Sequence, residues 1–290
     1  ILMLLGMILG REHVVAFENP TYKQAYRLFR GLAYKTVPVG MDKNGMKVTE
    51  LSDSGADIAY VTPSHQYPTG IIMPIGRRME LLKWAKEEPD RYVIEDDYDS
   101  ELRYYGRPVP ALQGLDRSGR VIYMGALSKV LPFFVRLSYM VLPPELMPLY
   151  HAQRGLFRQG ASVPEQCVLA EYIQSGELSR QVRRLRKDYQ EKGELLRKLL
   201  MEAFGPEIVV GQLVSGIYCH VRLHSPLSEA ELLKKAEQQG CRVLSMQSFY
   251  ETPSQESDNE FLLSFSKIPS CKLRDAVAAL HAAWSEKEGY

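Results

Sequence analysis

The stretch Tyr92–Tyr98 reads YVIEDDY, an apolar run of strand length that ends in carboxylates. Side chains on a strand alternate with a period of two. Ile94, Asp96 and Tyr98 therefore share one face, and Glu95, Asp97 and Asp99 take the other. One carboxylate and one phenol point together at the end of the strand, although a solvated acidic turn would look the same in sequence. Working outward, further β-rich runs occur at His13–Phe17, Lys35–Val39, Asp57–Val61, Val121–Gly125 and Ser138–Val141. Helical or turn segments separate them. In Gly76–Glu88, Met79, Leu81, Leu82 and Trp84 fall on or near one helical face, and Pro89 stands just past the end. Strands alternating with crossover helices predict an α/β domain on a mostly parallel sheet.

From Pro144 the character changes. Helical segments are expected at Pro144–Tyr150, Pro164–Ile173 and Glu177–Phe204, the last stopped by Gly205-Pro206. Strands around Ile208, Ile217–Leu223, Arg242–Leu244 and Phe261–Phe265 then mix with helices at Ser228–Gln239 and Cys271–Ser285, which reads as a smaller α+β domain. The expected division is 1–178 for the large domain and 179–290 for the small C-terminal one. Tyr250–Asn259 is polar, carries a proline and reads as a surface loop.

Composition narrows the function classes. A chain of 290 residues, 45% apolar and 24% charged, has the material for a substantial core and no sign of disorder. Its net charge of +1 argues against autonomous nucleic-acid binding, which usually shows a basic excess. Cys167, Cys219, Cys241 and Cys271 form no Cys-x-x-Cys pair, so scattered reduced thiols in the cytoplasm are the default reading. The apolar run Ile1–Leu9 stops at Arg11, about half the roughly 20 residues a membrane span requires. The chain opens inside that run and without Met, which reads as the interior of a helix in a fragment of a longer protein.

In open α/β sheets ligands sit beyond the carboxyl ends of the strands, and two further segments deliver functional groups there. Val121–Lys129 (VIYMGALSK) carries Lys129 into a loop beside Leu127 and Leu131. An amine stripped of hydration by such neighbours suits Schiff-base chemistry. Arg136 follows in an otherwise uncharged stretch and suggests an anion partner. Thr62–Gly70 (TPSHQYPTG) packs two prolines and a glycine around His65, Gln66 and Tyr67. Singly, each has a bland reading: a surface lysine, a turn. Together an amine, a carboxylate, an arginine and aromatic surfaces are the set pyridoxal 5'-phosphate needs.

At these residues the chain resembles a known family. TPSHQYPTG, IEDDYDSELRYY (Ile94–Tyr105) and YMGALSKVLPFFVRLSY (Tyr123–Tyr139) are similar to the effector-binding half of MocR-type regulators of the GntR superfamily. Those proteins join a winged helix-turn-helix to a domain of fold type I aminotransferase architecture. The resemblance implies that Lys129 is the aldimine lysine, Arg136 the phosphate-binding arginine and Asp96 the partner of the pyridine nitrogen. It also implies that Tyr98 reaches the ring hydroxyl and that Tyr22, in ENPTY (Glu18–Tyr22), stacks on the ring. It further implies a homodimer, an amino-acid or amino-acid-like effector that reacts at the Lys129 aldimine, at most vestigial transaminase activity, and DNA binding through a domain preceding Ile1.

The chain departs from the pattern in four places, one being that the glycine-rich phosphate turn, like the DNA-binding domain, is expected before Ile1. Ala126 stands where many relatives carry a phosphate-contacting hydroxyl. Leu262 occupies the usual place of the substrate-carboxylate arginine, leaving Lys267 or Arg242 as substitutes. The aminotransferase-type asparagine is replaced in the His65–Pro68 loop, which leaves the partner of the ring hydroxyl open. A working aminotransferase is the alternative reading, and a degenerate binding module without cofactor is a third. The cluster Arg180, Arg183, Arg184, Arg186 and Lys187 reads as a solvated helix face rather than a phosphate contact. His220 and His224 read as surface residues, and Trp84 reads as core.

Overall fold

The computed structural model describes residues 1–106, 109–132, 135–156, 161–251 and 259–285. Their contacts divide into two units, Ile1–Glu101 with Arg107–Arg183, and Leu102–Gly106 with Arg184–Tyr290.

The first unit holds seven strands: β1 (Val14–Asn19), β2 (Lys35–Asp42), β3 (Gly45–Met46), β4 (Ile58–Val61), β5 (Tyr92–Asp97), β6 (Val121–Ala126) and β7 (Ser138–Val141). They form one sheet in the order β3-β2-β1-β4-β5-β6-β7. The five central strands are parallel, and β3 and β7 are antiparallel edges. The mostly parallel sheet expected from the strand alternation is present. The short β3, unmarked in the sequence reading, closes a tight hairpin in which the Asn44 amide donates to Asp42 Oδ1 (2.7 Å) and Gly45 takes a positive φ of 102°.

Helices α1 (Leu2–Ile8), α2 (Lys23–Gly31), α3 (Val48–Asp53), α4 (Ile75–Glu87), α5 (Leu112–Leu115), α6 (Met147–Gln153) and α7 (Val163–Gln174) complete this unit, and α8 (Glu177–Phe204) begins in it. The period of two sorts the strands between two cores. On one face Val15, Phe17, Ile58, Tyr60, Ile94 and Met124 pack with Leu5, Tyr26 and Phe29 of α1 and α2. On the other, Ala16, Ala59, Val61, Val93 and Val121 pack with Leu51 of α3 and Leu81, Leu82 and Trp84 of α4. Met79, expected near the apolar face of α4, is exposed. Its place in the buried layer is taken by Arg78, which is 0% exposed.

Arg78 explains why a cation lies there. Its Nε donates to Met73 O (3.1 Å), Nη2 to Pro63 O (2.8 Å) and Nη1 to Pro110 O (3.0 Å), and Nη1 lies 3.5 Å from Glu95 Oε1. The two Glu95 oxygens accept the Leu112 and Gln113 amides, each at 2.9 Å. Burial raises the Glu95 carboxyl above its ordinary range, and those amides and Arg78 oppose the rise.

In the second unit, β8 (Ile208–Val210), β9 (Tyr218–Leu223), β10 (Leu244–Ser245) and β11 (Glu260–Ser264) form an antiparallel sheet in the order β10-β11-β9-β8. The later part of α8, α9 (Glu229–Gln238) and α10 (Leu273–Ser285) pack on it through Leu200, Leu232, Val277 and Trp284. Ser228 and Glu231 cap α9 reciprocally. Leu102–Gly106 pairs with this unit through the Tyr104 amide on Val214 O (2.9 Å). His220, expected at the surface, is instead half-buried, its Nε2 3.3 Å from Glu260 Oε2. Most of the loop expected at Tyr250–Asn259 lies outside the described residues. Among the described residues no helix is long and apolar enough to cross a membrane.

Removing Arg78 leaves the buried Glu95 carboxylate without its countercharge and takes a donor from the carbonyls of Pro63, Met73 and Pro110. Arg78→Ala should cost about 3–5 kcal/mol in urea unfolding; a loss below about 1 kcal/mol, the size of a surface pair, would show that the pair is dispensable.

Candidate functional site

The chain places β2 on one side of β1 and β4 on the other. The winding reverses between β1 and β4, and in open α/β sheets the carboxyl ends of the strands at such a point are where ligands bind. Glu18, near the end of β1, is 1% exposed. Its Oε2 accepts from the Thr62 amide (3.2 Å), the Thr62 hydroxyl (3.1 Å) and Gln66 Nε2 (3.3 Å). Oε1 has no partner among the described residues. Burial pushes this carboxyl up to about 7 against the pull of those three donors.

Gln66 is consumed by the scaffold. Its Nε2 also donates to Pro20 O and Tyr67 O, both at 2.9 Å, and its Oε1 accepts from the Thr69 amide (3.0 Å) and hydroxyl (2.6 Å). It ties the turn after β1 to the loop after β4.

His65 Nδ1 lies 2.9 Å from Asp99 Oδ2 and 3.1 Å from the Tyr98 hydroxyl. This corrects the expectation that Asp99 joins Glu95 and Asp97. The strand ends at Asp97, so the alternation stops there and the turn brings Asp99 to the same histidine as Tyr98. The Tyr98 ring stacks on His65 (6.1 Å between centroids) and meets Tyr67 edge-on (5.8 Å), and Tyr67 meets Tyr22 (5.9 Å). Tyr22 and Tyr98, far apart in sequence, thus belong to one aromatic wall joined through Tyr67.

Asp96 is half-buried, and its Oδ2 accepts the Tyr60 hydroxyl. Burial raises its carboxyl to about 6; the Tyr60 hydrogen bond opposes the rise, and the charges of Asp97 and Asp99 add to it. Asp97 is itself held by the Tyr123 hydroxyl (2.7 Å). Tyr60, Glu18 and the Tyr123–Asp97 pair had no place in the sequence reading. Strand alternation could have placed Tyr60 on the correct face, but its pairing with Ile94 was needed to bring it beside Asp96.

Lys129 lies half-buried in the turn after β6, and Val130 beside it is buried. Because Asp96 pairs with Met124 across β5 and β6, Lys129 and Asp96 occupy the carboxyl ends of adjacent parallel strands. Arg136 is exposed just before β7, at the same edge, where the Leu127 amide donates to Leu137 O (3.1 Å). Phe133 and Phe134, between Lys129 and Arg136, lie outside the described residues. Ala126 is the last residue of β6. In the second unit Leu262 is 3% exposed within β11, while Arg242 and Lys267 are exposed.

The chain is 34% identical over 284 residues to the HTH-type transcriptional regulator YdeL of Bacillus subtilis, covering 98% of this chain and 61% of that protein. It is 30% identical to the "Probable rhizopine catabolism regulatory protein MocR" of Rhizobium meliloti, covering 97% of this chain and 57% of that one. The chain thus spans about three fifths of the length of these regulators. Among solved structures, Pyrococcus horikoshii kynurenine aminotransferase, in complex with PMP, superposes with a TM-score of 0.85 at 27% identity over 100% of this chain and 73% of that one. The architecture is therefore the aminotransferase fold, as expected from the sequence motifs. No family model matches the chain.

Glu18 makes stability depend on pH with a definite sign. Its native value of about 7 exceeds its ordinary 4.5, so the folded protein holds this proton more tightly than the unfolded chain. The contribution is full below pH 4.5 and is lost as pH rises toward 7, up to about 3 kcal/mol in all. Unfolding measured from pH 5 to 8 should show this decline in the wild type. Glu18→Gln should flatten that component, and an unchanged slope would assign it elsewhere.

Proposed function

The chain belongs to the MocR type of GntR-superfamily transcriptional regulators, and from that membership we propose that it is the pyridoxal-phosphate-binding, effector-sensing and dimerisation part of such a regulator. The observation that carries this reading is that Asp96, near the end of β5, and Lys129, in the turn after β6, follow one another at the carboxyl ends of adjacent parallel strands. The chemistry of this donor set fits the cofactor: an amine, a carboxylate, phenols and a guanidinium at one sheet edge.

Pyridoxal phosphate, when bound, supplies an aldehyde conjugated to an electron-withdrawing ring. In the proposed site Lys129 is the covalent anchor. Asp96, mostly ionised at neutral pH with its carboxyl at about 6, keeps a proton on the ring nitrogen. Tyr98, oriented by His65, would meet the ring hydroxyl, Tyr22 would stack on the ring and Arg136 would hold the phosphate. An amino acid or close analogue competes with the Lys129 amine for the anchoring position. The released ammonium changes the local charge, and a change of that kind can bias a two-state domain arrangement.

Sensing is favoured over turnover because a buried Leu262 stands where aminotransferases place a carboxylate-binding arginine. DNA binding is assigned to a helix-turn-helix outside this chain, and a homodimer in the cytoplasm follows from the family resemblance.

Purified protein mixed with the cofactor should develop a visible absorbance band that Lys129→Ala abolishes. Borohydride reduction should then fix the cofactor's mass to the peptide containing Lys129. A wild type that stays colourless and unlabelled at saturating cofactor overturns the proposal. Steady conversion of an amino acid and a keto acid would establish an aminotransferase instead.

A further inference from the structure

Tyr60 has no part in the function proposed above, yet its surroundings give it one. It lies in the middle of β4, 0% exposed, with its ring 5.0 Å from Phe17 and its backbone paired to Phe17 on β1 and Ile94 on β5. A phenol in so apolar a layer needs a partner for its hydroxyl. That partner is Asp96 Oδ2, on the next strand.

We infer that Tyr60 is a positioning residue for cofactor binding: its hydroxyl orients the Asp96 carboxylate and keeps it ionised, so that Asp96 can hold a protonated ring nitrogen. The inference rests on the reading of Asp96 given above.

The charged and titratable neighbours support this division of labour. From β5 and its turn, Asp97 and Asp99 both act on Asp96, and their charges oppose its ionisation. Each is partly satisfied elsewhere, Asp97 by Tyr123 on β6 and Asp99 by His65 in the loop after β4. Glu18 on β1 and Tyr22 at the start of α2 face Tyr60 and raise its phenol further, after burial and Asp96 itself. A phenol held that firmly in its neutral form remains a donor throughout the working pH range. Among the described influences on Asp96, burial and two carboxylates push its carboxyl up, and the Tyr60 hydroxyl holds it down. With that hydroxyl removed, Asp96 would carry its own proton nearer neutrality and could no longer balance a pyridinium charge.

Two measurements on the full chain test this. In cofactor-free protein labelled with 13C at the aspartate carboxyls, with Asp96 assigned through Asp96→Asn, its inflection should rise by about one unit in Tyr60→Phe. Tyr60→Phe keeps the ring that fills the core. If that variant nevertheless fails to fold, 3-fluorotyrosine at position 60, a stronger donor of nearly the same shape, should lower the inflection. An inflection unmoved by the change at position 60 overturns the inference. In the second measurement, pyridoxal phosphate affinity followed against pH should begin to weaken about one unit higher in Tyr60→Phe, with up to about tenfold weaker binding between the two inflections. An identical pH profile in wild type and variant would leave Tyr60 as core packing and overturn the cofactor role. A shifted Asp96 inflection in a protein that binds no cofactor would uphold the Tyr60–Asp96 coupling and discard the cofactor site instead.

Discussion

Arg78 and Glu95, both 0% exposed, form the contact on which the rest of the first unit depends. A guanidinium is always charged and carries five donors in a rigid fork. Buried at the start of α4, it has to find acceptors, and it finds them in segments that share no secondary structure: Pro63 and Met73 at either end of the loop after β4, Pro110 before α5, and Glu95 in the middle of β5. The loop from Thr62 to Met73 is therefore anchored at both ends from behind the sheet. On that loop stand His65, Gln66 and Tyr67, the residues that link Asp99, Glu18 and the tyrosines of the candidate site.

Strand β5 divides its acidic residues by parity. Glu95 turns to the Arg78 face and serves as an anchor, while Asp96 turns to the face of Tyr60 and is the carboxylate of the proposed cofactor site. Asp97 follows at the end of the strand and the turn brings Asp99 to the same group, an arrangement that repulsion would disfavour if the three charges were left bare. Each has its own proton donor: Tyr60 for Asp96, Tyr123 for Asp97 and His65 for Asp99. A hydroxyl or imidazole on each carboxylate lets three acids gather at one strand end.

A second line of polar contacts runs from Glu18 through Thr62 and Gln66 into the same loop. Here a carboxyl with its ionisation displaced to about 7 binds the ends of β1 and β4 together, so the frame around Tyr22 and Tyr67 is itself sensitive to protonation near neutrality. In a domain proposed to report on a ligand, a frame held by hydrogen bonds to one buried carboxyl is easier to bias than an apolar one.

The local periods of the chain were enough to reveal the parallel strands, the crossover helix α4, the end of α8 at Gly205-Pro206 and the opposite facing of Glu95 and Asp96. Each depends on residues within a few positions of one another. The motifs around His65, Asp96 and Lys129 likewise marked the sheet edge where the candidate site lies. Three things escaped. Met79 left the apolar face expected of it and Arg78 is buried there, because helical spacing does not say whether a buried cation will find acceptors. Asp99 left its expected face, because alternation holds only while the strand lasts. The proton donors to the acidic cluster were invisible: Tyr60 and Asp96 are 36 residues apart, His65 and Asp99 are 34, and Glu18 and Gln66 are 48. The sequence alone marked Lys129, Asp96, Tyr98, Arg136 and Tyr22 as the candidate residues and, for most of them, the strand ends on which they stand. Only the tertiary structure decided which neighbours set their charge and orientation, because hydrogen bonds and desolvation depend on distances that strand order and register establish between remote parts of the chain.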